Sequence, residues 1–109
     1  MNSATGFPVE LKWSGEEKKV ARKAYDLAFT RQCSAITEKA KRMLDKSSPP
    51  DGVWKLHDYL SREGRKVDRT YDYRYSVLIS VFGQLLREGW LTTNDLEGLS
   101  PDKLKKIES

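Results

Sequence analysis

Between Gly15 and the segment Ser47–Gly52 the sequence runs about 30 residues with neither proline nor glycine. Ser14 followed by Glu17 is a capping box, in which hydroxyl and carboxylate satisfy orphan N–H groups at a helix start. Behind it Val20, Ala24, Leu27, Ile36, Ala40, Met43 and Leu44 recur at three-and-four spacing, and Ala21, Tyr25, Ala28 and Phe29 widen the stripe. The spacing predicts one helix of roughly 45 Å, at about 1.5 Å rise per residue. A compact chain of this size has a radius of gyration of about 13 Å, so its diameter is little more than 30 Å. The remaining residues cannot cover such a helix end to end, and an uncovered apolar stripe calls for a second copy. A homodimer, most simply two-fold symmetric, is therefore expected. The alternative is a break near Gln32–Cys33 that folds the helix back on itself.

The clearest interruption in the chain is SSPPDG, with paired prolines and Asp-Gly. Beyond it Val53, Leu56, Tyr59 and Leu60 fall on one helical face, with Trp54 and His57 beside it, and Gly64 ends or bends that helix. The run TYDYRY precedes SVLISVFGQLLREGW, whose Val77, Leu78, Ile79, Val81, Phe82, Leu85 and Leu86 are too dense for an exposed face. This segment is expected to be the most buried helix, closed by Gly89 as the residue after its C-cap. Its β-branched start leaves a strand at 77–81 as an alternative. Two short helices follow, one from Thr93 and one from Ser100, with Pro101 in the first helical position and Asp102 in the first turn. The expectation is an all-α fold in one domain over residues 1–109. Stem and dimerisation helices would occupy about 14–68, and a small helical head about 71–109.

Composition removes several function classes. The chain of 109 residues carries 20 Lys+Arg against 16 Asp+Glu, enough apolar material for one modest core and too little for a membrane span. Its first residues lack the apolar region of a signal peptide, so a reduced, cytoplasmic location is expected. The single Cys33 and single His57 leave no disulfide and no multi-Cys or multi-His metal site. Neither a glycine-rich phosphate loop nor a zinc-protease or calcium-loop pattern occurs. Nothing places Cys33 or a serine beside His57 as a nucleophile–base pair, and no cofactor site is read; the chain is expected not to be an enzyme. All of the net charge lies in residues 1–50, with 10 basic and 6 acidic side chains, while residues 51–109 hold 10 of each. The basic residues are diluted by acids, unlike the dense patches of nucleic-acid binders.

The segment WKLHDYL carries the strongest functional signal. Trp54, His57 and Asp58 lie at i, i+3 and i+4 and so converge on one side of a helix. An indole, an imidazole and a carboxylate together suit the centre of an interface. The competing reading puts Trp54 in the core and makes His57 and Asp58 a pair within the chain.

The stretch WKLHDYLSREGRKVDRTYDYRYSVLISVFGQLLREG, Trp54 to Gly89, resembles the fluorescence recovery proteins of cyanobacteria in its WKLHD core, its Tyr-Asp-x-Arg turn and its VFxQLLxEG ending. Lys106-Ile107 and the RKAY string at Arg22–Tyr25 also fit. The resemblance implies an all-α homodimer on long helices, each subunit with a helical head, and no enzyme activity. It implies binding to the photoactivated orange carotenoid protein, chiefly through that partner's C-terminal domain. Binding would speed the return to the orange form and end photoprotective quenching. Carried over, Trp54, His57 and Asp58 fall on positions tied to activity and dimer integrity, and Lys106 on a head position tied to partner contact.

Two positions depart from the family pattern. An arginine tied to activity is Gly64 here, flanked by Arg62 and Arg65, which can supply the charge. A head phenylalanine thought to touch the partner is Ser80, and losing such an anchor removes on the order of 2 kcal/mol from an interface. Two other readings stay open: a dimer of the same fold with a different protein partner, and a winged-helix-like DNA-binding module suggested by QLLREGWL and a basic pI.

Overall fold

The computed structural model describes residues 11–109. Four α-helices and one short 3-10 turn account for its regular structure: α1 Gly15–Lys46, α2 Asp51–Thr70, α3 Leu78–Arg87, the turn Thr93–Leu96, and α4 Pro101–Glu108. Both halves of the predicted capping box form at the start of α1. Ser14 Oγ accepts from Glu17 N at 3.1 Å, and Glu17 Oε1 accepts from Ser14 N at 3.0 Å. The helix then runs 32 residues without a break, so the interruption considered at Gln32–Cys33 is not formed. Its apolar and small positions keep i, i+4 hydrogen bonding intact, and no residue there removes a donor. Likewise α2 does not end at Gly64, because an isolated glycine costs only about 1 kcal/mol inside a helix. It continues to Thr70. Residues 78–81 are helical, which settles the strand alternative, and among the described residues no β-strand exists from which a wing could be built. That removes the winged-helix reading.

A four-residue connection, 47–50, turns α2 back along α1. The antiparallel course is fixed by Lys39 Nζ lying 4.8 Å over the Tyr59 ring and by Tyr71 Oη donating to Gln32 Oε1 at 2.9 Å. The hairpin therefore uses the second half of α1. The first half of α1 serves a different core: Ala21, Ala24 and Ala28 form a smooth strip against which Leu78, Val81, Phe82 and Leu85 of α3 pack, closed by Leu91, Leu96, Leu99 and Ile107. Each large side chain buried there stabilises by about 2 kcal/mol in transfer terms. As expected, α3 is the most buried helix. It ends in a Schellman motif, with Gly89 at φ +86° and Trp90 N donating to Leu85 O at 2.9 Å.

The TYDYRY segment has little helical hydrogen bonding to fix it, and rings do the work instead. Trp13, Tyr75, Tyr73, Tyr25, Tyr71 and Phe29 form a continuous chain of contacts with successive centroids 4.8–5.6 Å apart, mostly edge to face. Arg22 caps this chain, its guanidinium 4.5 Å from the centre of the Tyr73 ring. Burial pushes the Tyr71 and Tyr73 phenols up, so both stay protonated across the physiological range. The whole is elongated, 62 × 30 × 21 Å with a radius of gyration of 17.8 Å, against about 13 Å for a compact chain of this length.

Candidate functional site

The hairpin sets the exposure of every residue on α2. Tyr59 and Thr70 turn inward and are buried, and Leu56 and Val67 are half-buried. Val53, Trp54 and Leu60 do not join them and stand exposed. The four apolar residues that share one helical face, Val53, Leu56, Tyr59 and Leu60, are thus divided between buried, half-buried and exposed positions. A helix packed on a single neighbour buries a stripe of about 100°, too narrow to include them all. Trp54 is 64 % exposed, which excludes the core reading for this residue in the single chain.

On the same outward side, His57, Asp58, Ser61, Arg62 and Arg65 line one shallow groove. His57 Nδ1 lies 3.4 Å from Asp58 Oδ1, and the Trp54 and His57 ring centroids are 6.1 Å apart. The structure therefore gathers five of the expected site residues, Trp54, His57, Asp58, Arg62 and Arg65, on one open face. Two cations, an imidazole and a carboxylate beside an exposed indole can hold a mixed polar–apolar surface; the face has no enclosed space for a reacting substrate. Lys106 is elsewhere. It sits on α4 with Nζ 3.3 Å from Asp102 Oδ2, and α4 packs on α3. Gly64 and Ser80 are both exposed. Cys33 is half-buried and lines a separate depression with Phe29, Thr30, Ser34, Thr37 and Glu38. Among the described residues no group of His, Cys, Asp and Glu could hold a metal ion, and no helix is long and apolar enough to cross a membrane.

Two arrangements were not read from the sequence. The first is a buried ion pair that locks α4 to the start of α1. Lys103 Nζ lies 3.2 Å from both Glu17 oxygens and donates to Lys12 O at 2.6 Å, while Ser100 N donates to Glu17 Oε2 at 2.9 Å. The Ser14 and Ser100 N–H groups, then Lys103, hold the Glu17 carboxyl down at about 2. The second is Arg31, which donates to Trp90 O at 3.0 Å and to Asp95 Oδ2 at 2.8 Å and holds the Asp95 carboxyl below its usual range. Each joins residues more than 50 positions apart, and a local pattern carries no trace of that. The only available signal was Glu17 itself, already visible as half of a capping box.

The fold is shared with known proteins. The sequence model of the photoprotection regulator fluorescence recovery protein matches residues 13–109. The fluorescence recovery protein of Synechocystis sp. PCC 6803 is 35 % identical over 100 residues, 92 % of either chain. The solved structure of the Fremyella diplosiphon fluorescence recovery protein superposes with a TM-score of 0.83 at 38 % identity, covering 89 % of this chain and 95 % of that one. The Synechocystis structure gives 0.84 at 35 % identity over the same shares. With the match spanning nearly the whole chain, both helices of the hairpin and the α3–α4 layer included, this protein belongs to the fluorescence recovery protein family of photoprotection regulators.

Proposed function

We propose that this chain is a non-enzymatic regulator that acts as a homodimer, binds the photoactivated orange carotenoid protein through that partner's C-terminal domain, and accelerates its return to the resting orange form. The observation that carries the reading is the set of exposed apolar side chains on the hairpin: Leu44 53 %, Val53 51 %, Trp54 64 % and Leu60 43 % exposed. All four lie in the second half of α1 or the first half of α2. Large apolar side chains clustered at one end of a small protein mark a surface that another protein covers. A second copy satisfies that need most simply, making the hairpin a dimerisation stem. The α3–α4 layer then forms the head, where Lys106 contacts the partner, while Trp54, His57, Asp58, Arg62 and Arg65 serve dimer integrity and activity. Acceleration follows if the regulator binds the intermediate between red and orange forms more tightly than either state. Its place of action is the cytoplasm.

Ser80 favours a second reading. It leaves the head without the aromatic anchor that the family resemblance places there, and Gly64 leaves an arginine position empty. A dimer of the same fold serving another protein partner fits these two residues. Dark relaxation of photoconverted orange carotenoid protein, followed by red-form absorbance with and without this protein, decides between them. Faster recovery supports the first reading. Unchanged recovery with a folded dimer, its mass fixed by light scattering, overturns the first in favour of the second. A monomeric mass at micromolar concentration overturns the dimer.

A further inference from the structure

Where the hairpin meets α3 a polar cleft of about 620 Å³ opens, lined by Gln32 of α1, Glu63, Lys66, Arg69 and Thr70 of α2, Gln84 of α3, Glu88 at its C-cap, and Trp90. Its hydrogen-bonding potential is not evenly spent. Glu63 is engaged by Lys66 at 3.2 Å, and Glu88 accepts from Gln84 Nε2 at 2.9 Å. Thr70 Oγ1 accepts from the same amide at 3.2 Å. Glu63 is thus ion-paired with one of the two cations, while Glu88 is held by a neutral amide alone. Arg69 has no ion-pair or hydrogen-bond partner for its guanidinium among the described residues. Gln32 is 4 % exposed and its Oε1 accepts from Tyr71 Oη at 2.9 Å. Its Nε2 has no acceptor among the described residues, although the side chain lines the cleft. What remains unspent is therefore donor capacity: the planar guanidinium fork of exposed Arg69 and the Gln32 amide N–H, reached from the cleft, beside the indole of Trp90. Trp90 is itself tied down by the Arg31 contact to its carbonyl.

We infer that this cleft binds a carboxylate, with Arg69 taking the anion through its fork, Gln32 Nε2 donating to one carboxylate oxygen, and Trp90 covering the apolar stem that carries the group. A carboxylate matches this donor set because a guanidinium presents two parallel N–H groups at its spacing, whereas an ammonium or an amide ligand leaves the fork unmatched. The carboxylate belongs to a free organic acid or to an acidic side chain of a protein partner. Because the lining comes from α1, α2 and α3 together, occupation ties α3 to the hairpin. The inference does not rest on the proposed photoreceptor partner, since the isolated protein suffices to test it.

The test is an NMR titration of the full-length protein at constant ionic strength, following the Trp90 indole N–H and the Gln32 side-chain amide. The probes are glutarate as a free diacid, N-acetyl-glutamyl amide as a blocked acidic side chain, and glutaramide as the uncharged control. Saturable shifts of both signals by either carboxylate, absent with glutaramide and weakened about tenfold or more in Arg69→Gln, are expected. A response to glutarate alone assigns a free acid, and a response to both assigns an acidic side chain as well. Arg69 is exposed, so the variant keeps its helix content, checked by circular dichroism. Lys66→Gln, which removes the cation already paired to Glu63, is expected to cost less than Arg69→Gln. No saturable shift, shifts equal with glutaramide, or affinity unchanged in Arg69→Gln each overturns the inference.

Discussion

At one end of α1, Ala21, Ala24 and Ala28 lie beneath Phe82, Leu78, Leu85, Leu91 and Leu96, all of them less than 2 % exposed. At the other end the same helix has only α2 beside it, and Leu44, Val53, Trp54 and Leu60 face water. One helix thus serves two regions with opposite needs. The α3–α4 end is closed by contacts from four segments of one chain. The hairpin end has a single buried seam, through Tyr59, and a second apolar surface that its own chain cannot reach. Substitutions at the first end should act on folding, and substitutions at the second on association.

The largest effect is expected at Phe82. Truncation to Ala in a fully enclosed site removes the transfer energy and leaves a cavity, costing about 3–5 kcal/mol. A melt followed by circular dichroism should show the midpoint fall by roughly 15 °C or more, with self-association lost only as the fold is lost. A small shift there would mean that the closed end tolerates repacking and that the contrast between the ends is weaker than burial suggests.

The ion pair under α4 comes next. Glu17 titrates at about 2 against an ordinary 4.5, so its folded-state carboxylate is favoured over the unfolded one. Its contribution is complete above pH 4.5 and is lost as pH falls from there toward 2, on the order of 3 kcal/mol in all. Glu17→Gln also leaves Lys103 buried without its counter-charge. The gap in melting temperature between wild type and Glu17→Gln should therefore be widest near pH 6 and close toward pH 2. A gap independent of pH would show that the pair holds α4 by packing alone.

Legibility in the sequence follows the same division. Local chemistry was readable: the Ser14–Glu17 box, the Gly89 terminator, the dense apolar run that becomes α3, and the all-helical architecture. The grouping of Trp54, His57 and Asp58 on one face of α2 was readable too, because helical spacing alone sets it; that Arg62 and Arg65 share the groove with His57 and Asp58 came from the structure. What spacing leaves open is which face meets a neighbour. Val53, Leu56, Tyr59 and Leu60 look alike as a pattern, and only the path of α1 decides that Tyr59 goes in and Val53 stays out. Residues that meet across long separations, Glu17 with Lys103, Arg31 with Asp95, Gln32 with Tyr71, left no periodic mark. The cleft between Gln32 and Arg69 belongs to this second class.

Trp54→Ala probes the open end directly. Because the indole is 64 % exposed, its loss should leave the helix content of the single chain nearly intact. Self-association should weaken roughly thirtyfold, the equivalent of about 2 kcal/mol from an interface centre. Sedimentation across a concentration series reads this. A drop in helicity at concentrations where the chain is monomeric would place Trp54 in the fold instead.

The smallest expected effect separates backbone from side chain at the same end. Gly64 lies inside α2, and a Cβ there would meet nothing within 4 Å. Its backbone is not in the left-handed region, unlike Gly89 and Gly98. Nothing in the single chain therefore requires glycine, and Gly64→Ala should stabilise α2 by about 0.5–1 kcal/mol, through reduced freedom of the unfolded chain and better helix propensity. A midpoint raised by a few degrees, with association unchanged, would mean that the position merely lost a side chain. Weaker association despite a more stable helix would mean that a second chain packs against the bare backbone at Gly64, so that the covered surface extends from Trp54 at least that far along α2.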